Sequence, residues 1–335
     1  MIRLNPVKIL EKVGRYEQIA LLFSLVILCV VSSFLSPVFL SVNNLMNVLR
    51  TASLTAICAM GMMIVVLIGE LDLSVGSSQA FIGIVSVYAL NSTGNIPLTI
   101  LIVIIAGVCI GLINAVLVVQ AGINSLIATL GTMAIIRGAS YVSTGGISIQ
   151  AKVSGFEKLG TGHLGPFPVP LIIAVVLFSL LWYVLKNTVF GRNIYAVGDN
   201  ASAAELCGIS VKKMTLIVYI IAGVTTATSS MLLASRLNSA QPNAGLGFEF
   251  QVISAVVLGG VSMSGGKGSV SGVMLGVLIL SVLQNMLILV GVSSFYQEIA
   301  RGLVILLAVY IDTRNKSMTD KRALAYAEKT TNEGN

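Results

Sequence analysis

Charged side chains are scarce in this chain. They make up 10% of the 335 residues, whereas an ordinary soluble domain carries about 25%. Apolar residues make up 56%, and the mean hydropathy is +0.96. A soluble protein of this length would have too few charges to cover its surface, which excludes a soluble enzyme, a disordered chain and a secreted disulfide scaffold. The long apolar runs predict an all-α, polytopic membrane helical bundle and argue against a membrane barrel, in which apolar and polar residues alternate.

Histidine and paired cysteines are scarce as well. The single histidine, His163, excludes an HExxH zinc site and argues against a Ser-His-Asp hydrolase. The four cysteines, Cys29, Cys58, Cys109 and Cys207, form no close pair, so neither a disulfide framework nor a metal site is indicated. The sequence therefore predicts no catalytic residue, no metal site and no cofactor on this chain.

About ten apolar runs approach the length of about 20 residues that a membrane-spanning helix needs. The eighth run is short and ends in glycines, so the count is approximate. The runs divide the chain into a tail at 1–16, a membrane region at 17–313 and a second tail at 314–335. The ten runs are 17–36, 51–69, 76–91, 97–119, 123–141, 168–187, 214–235, 250–262, 270–291 and 295–312.

Most of the 20 basic residues lie at one set of span ends. They cluster in the two tails, in the loop after the sixth span and at Lys267 after the eighth. An even number of spans places all of these on one side, and the positive-inside rule assigns that side to the cytoplasm. Both termini are therefore predicted to be cytoplasmic. The net charge of +7 is explained by the anionic membrane surface and indicates no nucleic-acid partner.

The cytoplasmic loop at about 188–213 contains a short predicted helix. Asp199 or Asn200 is suited to be its N-cap, residues 201–207 favour a helix, and Gly208 favours a stop. The helix is rich in small residues and has no Trp or Phe to anchor it to a membrane surface. Two interpretations remain open, namely a docking helix for another protein and an interfacial helix on the membrane.

The same loop resembles a family motif, Gly-x-Asn-x-x-Ala-Ala-x-x-x-Gly-Ile, matched by Gly198, Asn200, Ala203, Ala204, Gly208 and Ile209. This pattern is that of the coupling helix in the permease subunits of bacterial ABC importers, in the branch for ribose, other monosaccharides and autoinducer-2. The resemblance runs from about residue 17 to 312. Further stretches similar to the family are 69–77, 127–131 with 137–138, 239–242, and 255–260 with 265–268.

The resemblance implies that the chain is the membrane subunit of an ATP-driven importer, in the bacterial inner membrane, for a small polar solute such as a monosaccharide. It implies that ATP and magnesium bind a separate ATPase subunit and that a periplasmic binding protein delivers the solute. A second permease copy or a homologue would complete the pathway. It assigns coupling to the ATPase to eight residues, which are Gly198, Asp199, Asn200, Ala203, Ala204, Glu205, Gly208 and Ile209.

No ATP-binding motif accompanies these stretches. A phosphate-binding loop needs Gly-x-x-x-x-Gly-Lys followed by Ser or Thr, and the nearest segment has Val261 and Gly268 at two of the required positions. We therefore expect Lys267 to lie in a tight glycine-rich turn, with a role in gating as the alternative. The missing motif agrees with an ATPase on another chain.

Glu70 and Asp72 are carboxylates between two apolar runs, where an ionised group is costly. Asp72 either caps the next helix, with Ser74 in its first turn, or lines a polar path through the membrane. Glu70, Asp72, Ser74 and Lys267 are therefore the candidates for the translocation path or its gate. Glu70 departs from the family pattern, which usually has a small or apolar residue there. An ion-coupled secondary transporter that uses Glu70 and Asp72 is the alternative function.

We expect the face that receives the binding protein at the opposite, outer end of the spans. Arg236, Gln241 and Glu249 are its main candidates, and Gln251 is a further one. Arg137 lies near the outer end of the fifth span, where snorkelling toward water explains it and contact with the binding protein is the alternative.

Small residues recur within the spans. Gly107 and Gly111 in the fourth span form a small-xxx-small pair. Such a pair lets another helix approach closely, so we expect ordinary bundle packing at this position.

Overall fold

The computed structural model describes residues 6–293, 295–300, 302, 303, 306 and 310. The predicted tail at 314–335 and part of the tenth run lie outside the described residues. The first helix begins inside the predicted tail at 1–16. The helices are α1 (Pro6–Leu35), α2 (Val42–Leu67), α3 (Val75–Thr93), α4 (Ile96–Val119), α5 (Ser125–Thr144), α6 (Glu157–Thr161), α7 (Val169–Asn187), α8 (Val189–Asp199), α9 (Ala201–Leu206), α10 (Val211–Leu237), α11 (Phe248–Leu258) and α12 (Val270–Leu289).

Short polar residues set the ends of the long helices. The Asn95 side chain accepts a hydrogen bond from the Leu98 N–H at 3.0 Å at the start of α4. Ser269 accepts one from the Gly272 N–H at 3.1 Å at the start of α12. Asn238 ends α10 in the left-handed conformation, with φ 48°. These residues satisfy backbone groups that a helix end leaves without an intrahelical partner.

Seven helices in the described part of the chain are long and apolar enough to cross a membrane. They are α1, from Gln18 onward, and α2, α4, α5, α7, α10 and α12. The prediction of a polytopic helical membrane protein is confirmed. The third and eighth apolar runs correspond to α3 and α11, which are not among the seven, and α11 has only 11 residues.

The centre of the bundle is formed by α2 and α10. In the most apolar 18-residue window of α2, 83% of the residues are buried, against 6% in α1. Gly107 and Gly111 on α4 lie directly against the α10 backbone at Gly223 and Tyr219. Because neither glycine carries a Cβ atom, the two helix backbones can approach closely, and the packing predicted for this glycine pair is confirmed.

The two ends of the bundle have different structures. At the end that we call the strand end, β1 (Ile149–Gln150) pairs antiparallel with β4 (Ser239–Ala240), and β2 (His163–Leu164) pairs with β3 (Phe167–Pro168). The other end, which we call the α9 end, carries α8, α9 and the loop between α11 and α12. This arrangement separates the segments predicted to be outer from those predicted to be cytoplasmic.

The start of α3 is buried within the bundle, where Ser74 is 1% exposed. The Asn114 side chain, more than one turn before the end of α4, reaches Ser74 just before α3 begins. Gly76 in the first turn of α3 lies against the carbonyl oxygen of Gly245 and the side chain of Glu249. The segment that precedes α11 therefore turns back from the strand end into the bundle and meets the beginning of α3.

Candidate functional site

The short helix predicted in the 188–213 loop is present as α9. The Asn200 side chain accepts a hydrogen bond from the Ala203 N–H at 2.9 Å and caps the helix. Gly208 has φ +83°, and the Ile209 N–H beyond it donates to the Ala204 carbonyl at 3.0 Å. The cap is Asn200, since Asp199 is the last residue of α8, and the helix ends one residue earlier than predicted.

The adjacent alanines Ala203 and Ala204 of α9 lie in different surroundings. Ala204 is buried in the main apolar core, whereas Ala203 and Glu205 are exposed. Leu206, at the end of the helix, is 91% exposed. Sequence analysis missed Leu206, although a large apolar side chain beside a helix stop was a visible signal. The exposed surface of α9 therefore combines a small residue with one apolar side chain that its own chain leaves uncovered.

A junction of glycines connects α8 to the rest of the α9 end. A Cβ atom at Gly198 would overlap the Leu67 carbonyl oxygen at the end of α2 and the Gly266 nitrogen. The Gly266 N–H donates to that same Leu67 carbonyl at 2.9 Å. Gly265 and Gly266 have φ +83° and +71°, which favours glycine. Two stretches singled out separately in the sequence thus meet the end of α2 at one point, which we call the glycine junction (Leu67, Gly198, Gly265 and Gly266).

The turn that contains Lys267 is fastened on both sides. The Lys267 carbonyl accepts a hydrogen bond from the Ser262 N–H at 2.9 Å, and the Tyr195 hydroxyl of α8 donates to the Gly268 carbonyl at 3.1 Å. Burial raises the pKa of Tyr195, which keeps its hydroxyl a donor. The Lys267 side chain itself is exposed. The tight turn expected around Lys267 is therefore present, and α8 is attached to it.

Asp72 is a buried carboxylate that accepts hydrogen bonds from nearby Ser74 and, at 3.4 Å, from the Asn114 amide of α4. It is 5% exposed and accepts hydrogen bonds from the Ser74 N–H at 2.9 Å and from the Ser74 hydroxyl at 2.6 Å. The Asn114 amide donates to the Ser74 hydroxyl oxygen at 2.8 Å. The carboxylate therefore fastens the turn that precedes α3. The helix cap expected at Asp72 is corrected, because the N-cap of α3 is Ser74 and no side chain caps the first turn of the helix. Glu70 is half-buried between the glycine junction and this cluster.

The residues predicted for the outer face lie in two different environments. Arg236 and Gln241 are half-buried near the strand end, and Arg236 donates to the Thr51 hydroxyl at 3.1 Å. Glu249 and Gln251 are only 6% and 9% exposed. The placement of Glu249 and Gln251 on an exposed outer surface is therefore corrected, because the segment before α11 carries them into the bundle.

Arg137 does not depend on water for its hydrogen bonds. Its guanidinium donates to the carbonyl oxygens of Pro242 at 2.9 Å and Ala244 at 2.7 Å. Glu249 lies close enough to interact with it electrostatically. Arg137 therefore holds the segment that leads into α11 against α5.

Metal-binding chemistry finds no support in the part of the chain that the structure describes. Within those residues, no group of three or more His, Cys, Asp or Glu side chains is arranged to hold a metal ion. His163 lies beside Arg50, with 2.6 Å between its Nε2 and an Arg50 guanidinium nitrogen.

Comparison with known proteins identifies the family to which this chain belongs. The model for "Branched-chain amino acid transport system / permease component" matches residues 44–309. This chain belongs to that permease family. The permease is 42% identical to the ribose import permease protein RbsC of Haemophilus influenzae, over 90% of this chain and 95% of the relative. The resemblance inferred from the motifs is confirmed.

Two further relatives are similar over most of their length. The RbsC protein of Escherichia coli K12 is 40% identical, over 90% of this chain and 94% of its own. The L-arabinose ABC transporter permease protein AraH of Azospirillum brasilense is 38% identical, over 82% and 81%. No solved structure matches this chain. The permease is thus a multi-pass membrane protein of a transport system.

Proposed function

We propose that this permease is the membrane subunit of an ATP-binding-cassette importer for a monosaccharide. Relatives named for ribose and L-arabinose support the solute class, and each aligns over more than four fifths of this chain. In this proposal the chain crosses the bacterial inner membrane about ten times, with both termini in the cytoplasm. The α9 end then faces the cytoplasm and the strand end faces the periplasm.

The proposal requires three partners. A separate ATPase subunit holds ATP and magnesium, a periplasmic binding protein delivers the sugar, and a second permease, identical or homologous, completes the path. This chain performs no covalent chemistry. It supplies the path and converts movement of the ATPase into movement of the spans.

The observation that carries the proposal is the combination of an exposed α9 with the glycine junction behind it. Ala203 and Leu206 offer a small surface and an apolar side chain to a partner. Gly198, three residues before α9 begins, packs backbone to backbone against the end of α2 and the Gly266 turn. Because such contacts leave no room for sliding, a displacement of α9 is passed on to α2 and to the turn between α11 and α12.

The ion-coupled alternative is not favoured. It assigns Glu70 and Asp72 to the binding of a coupling ion, but the Asp72 carboxylate accepts two hydrogen bonds from Ser74 at the start of α3. Local hydrogen bonds of this kind account for a buried carboxylate without an ion. The permease family and its sugar-import relatives support the ATP-driven importer instead.

The test is the variant Ala203→Arg, with uptake of radiolabelled ribose and L-arabinose measured in cells that carry the complete transport system. We expect uptake to fall by at least about tenfold, because a bulky charge at a close contact costs about 1.4 kcal/mol or more. The amount of ATPase that co-purifies with the tagged permease should fall in parallel. Leu206→Ala should show a smaller loss of co-purifying ATPase and no loss of stability, since its side chain is exposed.

The matched control is Ala121→Arg. Ala121 is exposed in the short connection between α4 and α5, outside α9. It should leave uptake and ATPase association unchanged at the same membrane level of protein. Normal uptake by Ala203→Arg would contradict the assignment of α9 as the docking helix. Ala204 is unsuitable for this test, because its burial would mix docking with folding.

A further inference from the structure

The apolar helix α12 carries two neighbouring carboxamides that face different partners. Asn285 and Asn44 of α2 bond reciprocally, each amide donating to the other's oxygen, at 2.8 and 3.0 Å. Gln284 faces α11, where its oxygen accepts a hydrogen bond from the Gln251 amide at 3.3 Å. The Asn pair is a closed arrangement that joins two helices, whereas the Gln pair shares a single, longer bond.

The Gln pair opens onto a cavity. Gln251, Gln284 and Gln297 line a narrow space between α11, α12 and the helical segment 295–300, together with Leu280, Leu283 and Leu287. None of the described residues around this space carries a charge. Its volume is about 30 Å³, which is room for about two water molecules and not for a sugar. The space is therefore constricted in this conformation.

Three glutamines at an apolar helix contact are costly unless they have partners. A carboxamide has two N–H donors and an oxygen with two lone pairs. The bond between Gln251 and Gln284 uses one donor and one lone pair, and Gln297 donates to the Val292 carbonyl at 2.9 Å. The three side chains therefore have more hydrogen-bonding capacity than these two bonds use. A ligand rich in both donors and acceptors would match that capacity.

We propose that Gln251, Gln284 and Gln297 form a solute-contact site within the membrane, for a small uncharged solute with several hydroxyl groups. This inference rests on the proposed import function and adds the place where this chain contacts the sugar. Hydroxyl groups donate and accept, as carboxamides do, and the leucines contact the C–H faces of the solute. A charged solute would find no opposite charge among the described lining residues. The site widens when the importer changes conformation.

The first experiment asks whether water reaches the site. Gln284→Cys is made in a variant without the natural cysteines, and membrane vesicles carrying the assembled importer are treated with a charged, water-soluble methanethiosulfonate reagent. A thiol reacts as the thiolate, which forms only where water has access. We expect position 284 to react at least about tenfold faster than a thiol buried in lipid.

The control is already present in the chain. Cys109 lies exposed on α4, on the apolar face that also carries Ile105 and Ile113, so a variant that keeps only Cys109 reports a thiol outside the path. Faster labelling at 284 than at 109, with and without ATP, supports a polar path. Equal slow labelling at both positions in both conditions overturns the proposal.

The second experiment tests the solute class by uptake of radiolabelled ribose. Gln284→Leu, of similar size, should lower uptake by at least about tenfold at equal membrane levels and equal ATPase association. Gln120→Leu is the matched control, since Gln120 is exposed at the end of α4. Unchanged uptake in Gln284→Leu overturns the contact. If the unmodified importer takes up neither ribose nor L-arabinose, the proposed function fails, while fast labelling at 284 still supports a polar path for another solute.

Discussion

The neighbouring spans α4 and α5 use glycine in opposite ways. On α4, a Cβ atom at Gly107 or Gly111 would overlap the backbone of α10. On α5, a Cβ atom at Gly131 or Gly138 would meet nothing within 4 Å. In the sequence the two pairs look alike, since each places small residues in an apolar run.

The difference shows that small residues in a membrane span have two uses. On α4 they let two backbones of this chain touch, which supplies the close packing that stabilises helices in lipid. On α5 they leave a surface that the described part of this chain does not cover, and only 28% of an 18-residue apolar window of that helix is buried. Substitutions at packed and open glycines should therefore have very different effects.

The largest difference is expected between Gly111→Leu and Gly131→Leu. A side chain at 111 would be forced into the Tyr219 carbonyl and the Ile220 backbone. Overpacking of this kind costs at least about 1–3 kcal/mol, so we expect little folded permease in the membrane. Gly131→Leu has open space and gains up to about 1 kcal/mol of helix propensity.

The measurement is the amount of each variant that elutes as a single species in mild detergent, together with its thermal midpoint. A normal yield of Gly111→Leu would contradict the α4–α10 contact. Loss of the Gly131→Leu protein would mean that the open face of α5 is covered in the assembled importer, and the comparison would then hold only for the single chain.

The glycine junction extends the comparison to the α9 end, where a smaller effect on folding and a large effect on transport are expected. Gly198→Val would separate α8 from Leu67 and Gly266, and we expect ribose uptake to fall by at least about tenfold while the protein still inserts. Ala121→Val is the control, because Ala121 is exposed in the connection between α4 and α5, outside α9 and the glycine junction. Uptake near the unmodified level in Gly198→Val would show that tight packing at the junction is not needed.

Local signals explain what the sequence predicted well. The bounds of α9 were placed within one residue because Asn200 and Gly208 act on their immediate neighbours. The contact between Asp72 and Ser74 is likewise local, although it fastens the turn before α3 and does not cap the helix. The apolar runs predicted the long helices for the same reason, since hydropathy is a property of each segment by itself.

The features that the sequence did not predict depend on contacts between segments that are distant along the chain. Nothing in the sequence near Gly198 indicates that it meets Leu67 and Gly266, which are far away along the chain. Glu249 was expected at the outer face because it follows an outer loop, but Gly245 returns the chain to Gly76 inside the bundle. Hydropathy does not report the depth at which a helix begins, so α3 was predicted as an ordinary span.

The smallest effect is expected from Asp72→Asn, and its comparison with Asp72→Ala separates charge from hydrogen bonding. Asp72→Asn keeps an oxygen that can accept the Ser74 N–H, so its uptake should stay within about twofold of the unmodified level. Asp72→Ala leaves the buried Ser74 groups without their acceptor, and each such group costs about 1–3 kcal/mol. Its thermal midpoint in detergent should therefore be lower than that of Asp72→Asn.

The same pair of variants distinguishes a structural carboxylate from a coupling one. If Asp72 bound a transported ion, its charge would be essential, and Asp72→Asn would abolish uptake while keeping its stability. If it only fastens the turn before α3, the order is reversed, because stability falls in Asp72→Ala and uptake follows stability in both variants. Uptake and thermal midpoint measured together on the two variants therefore decide whether this buried charge belongs with the packed glycines, as part of the framework, or with the path that the solute takes.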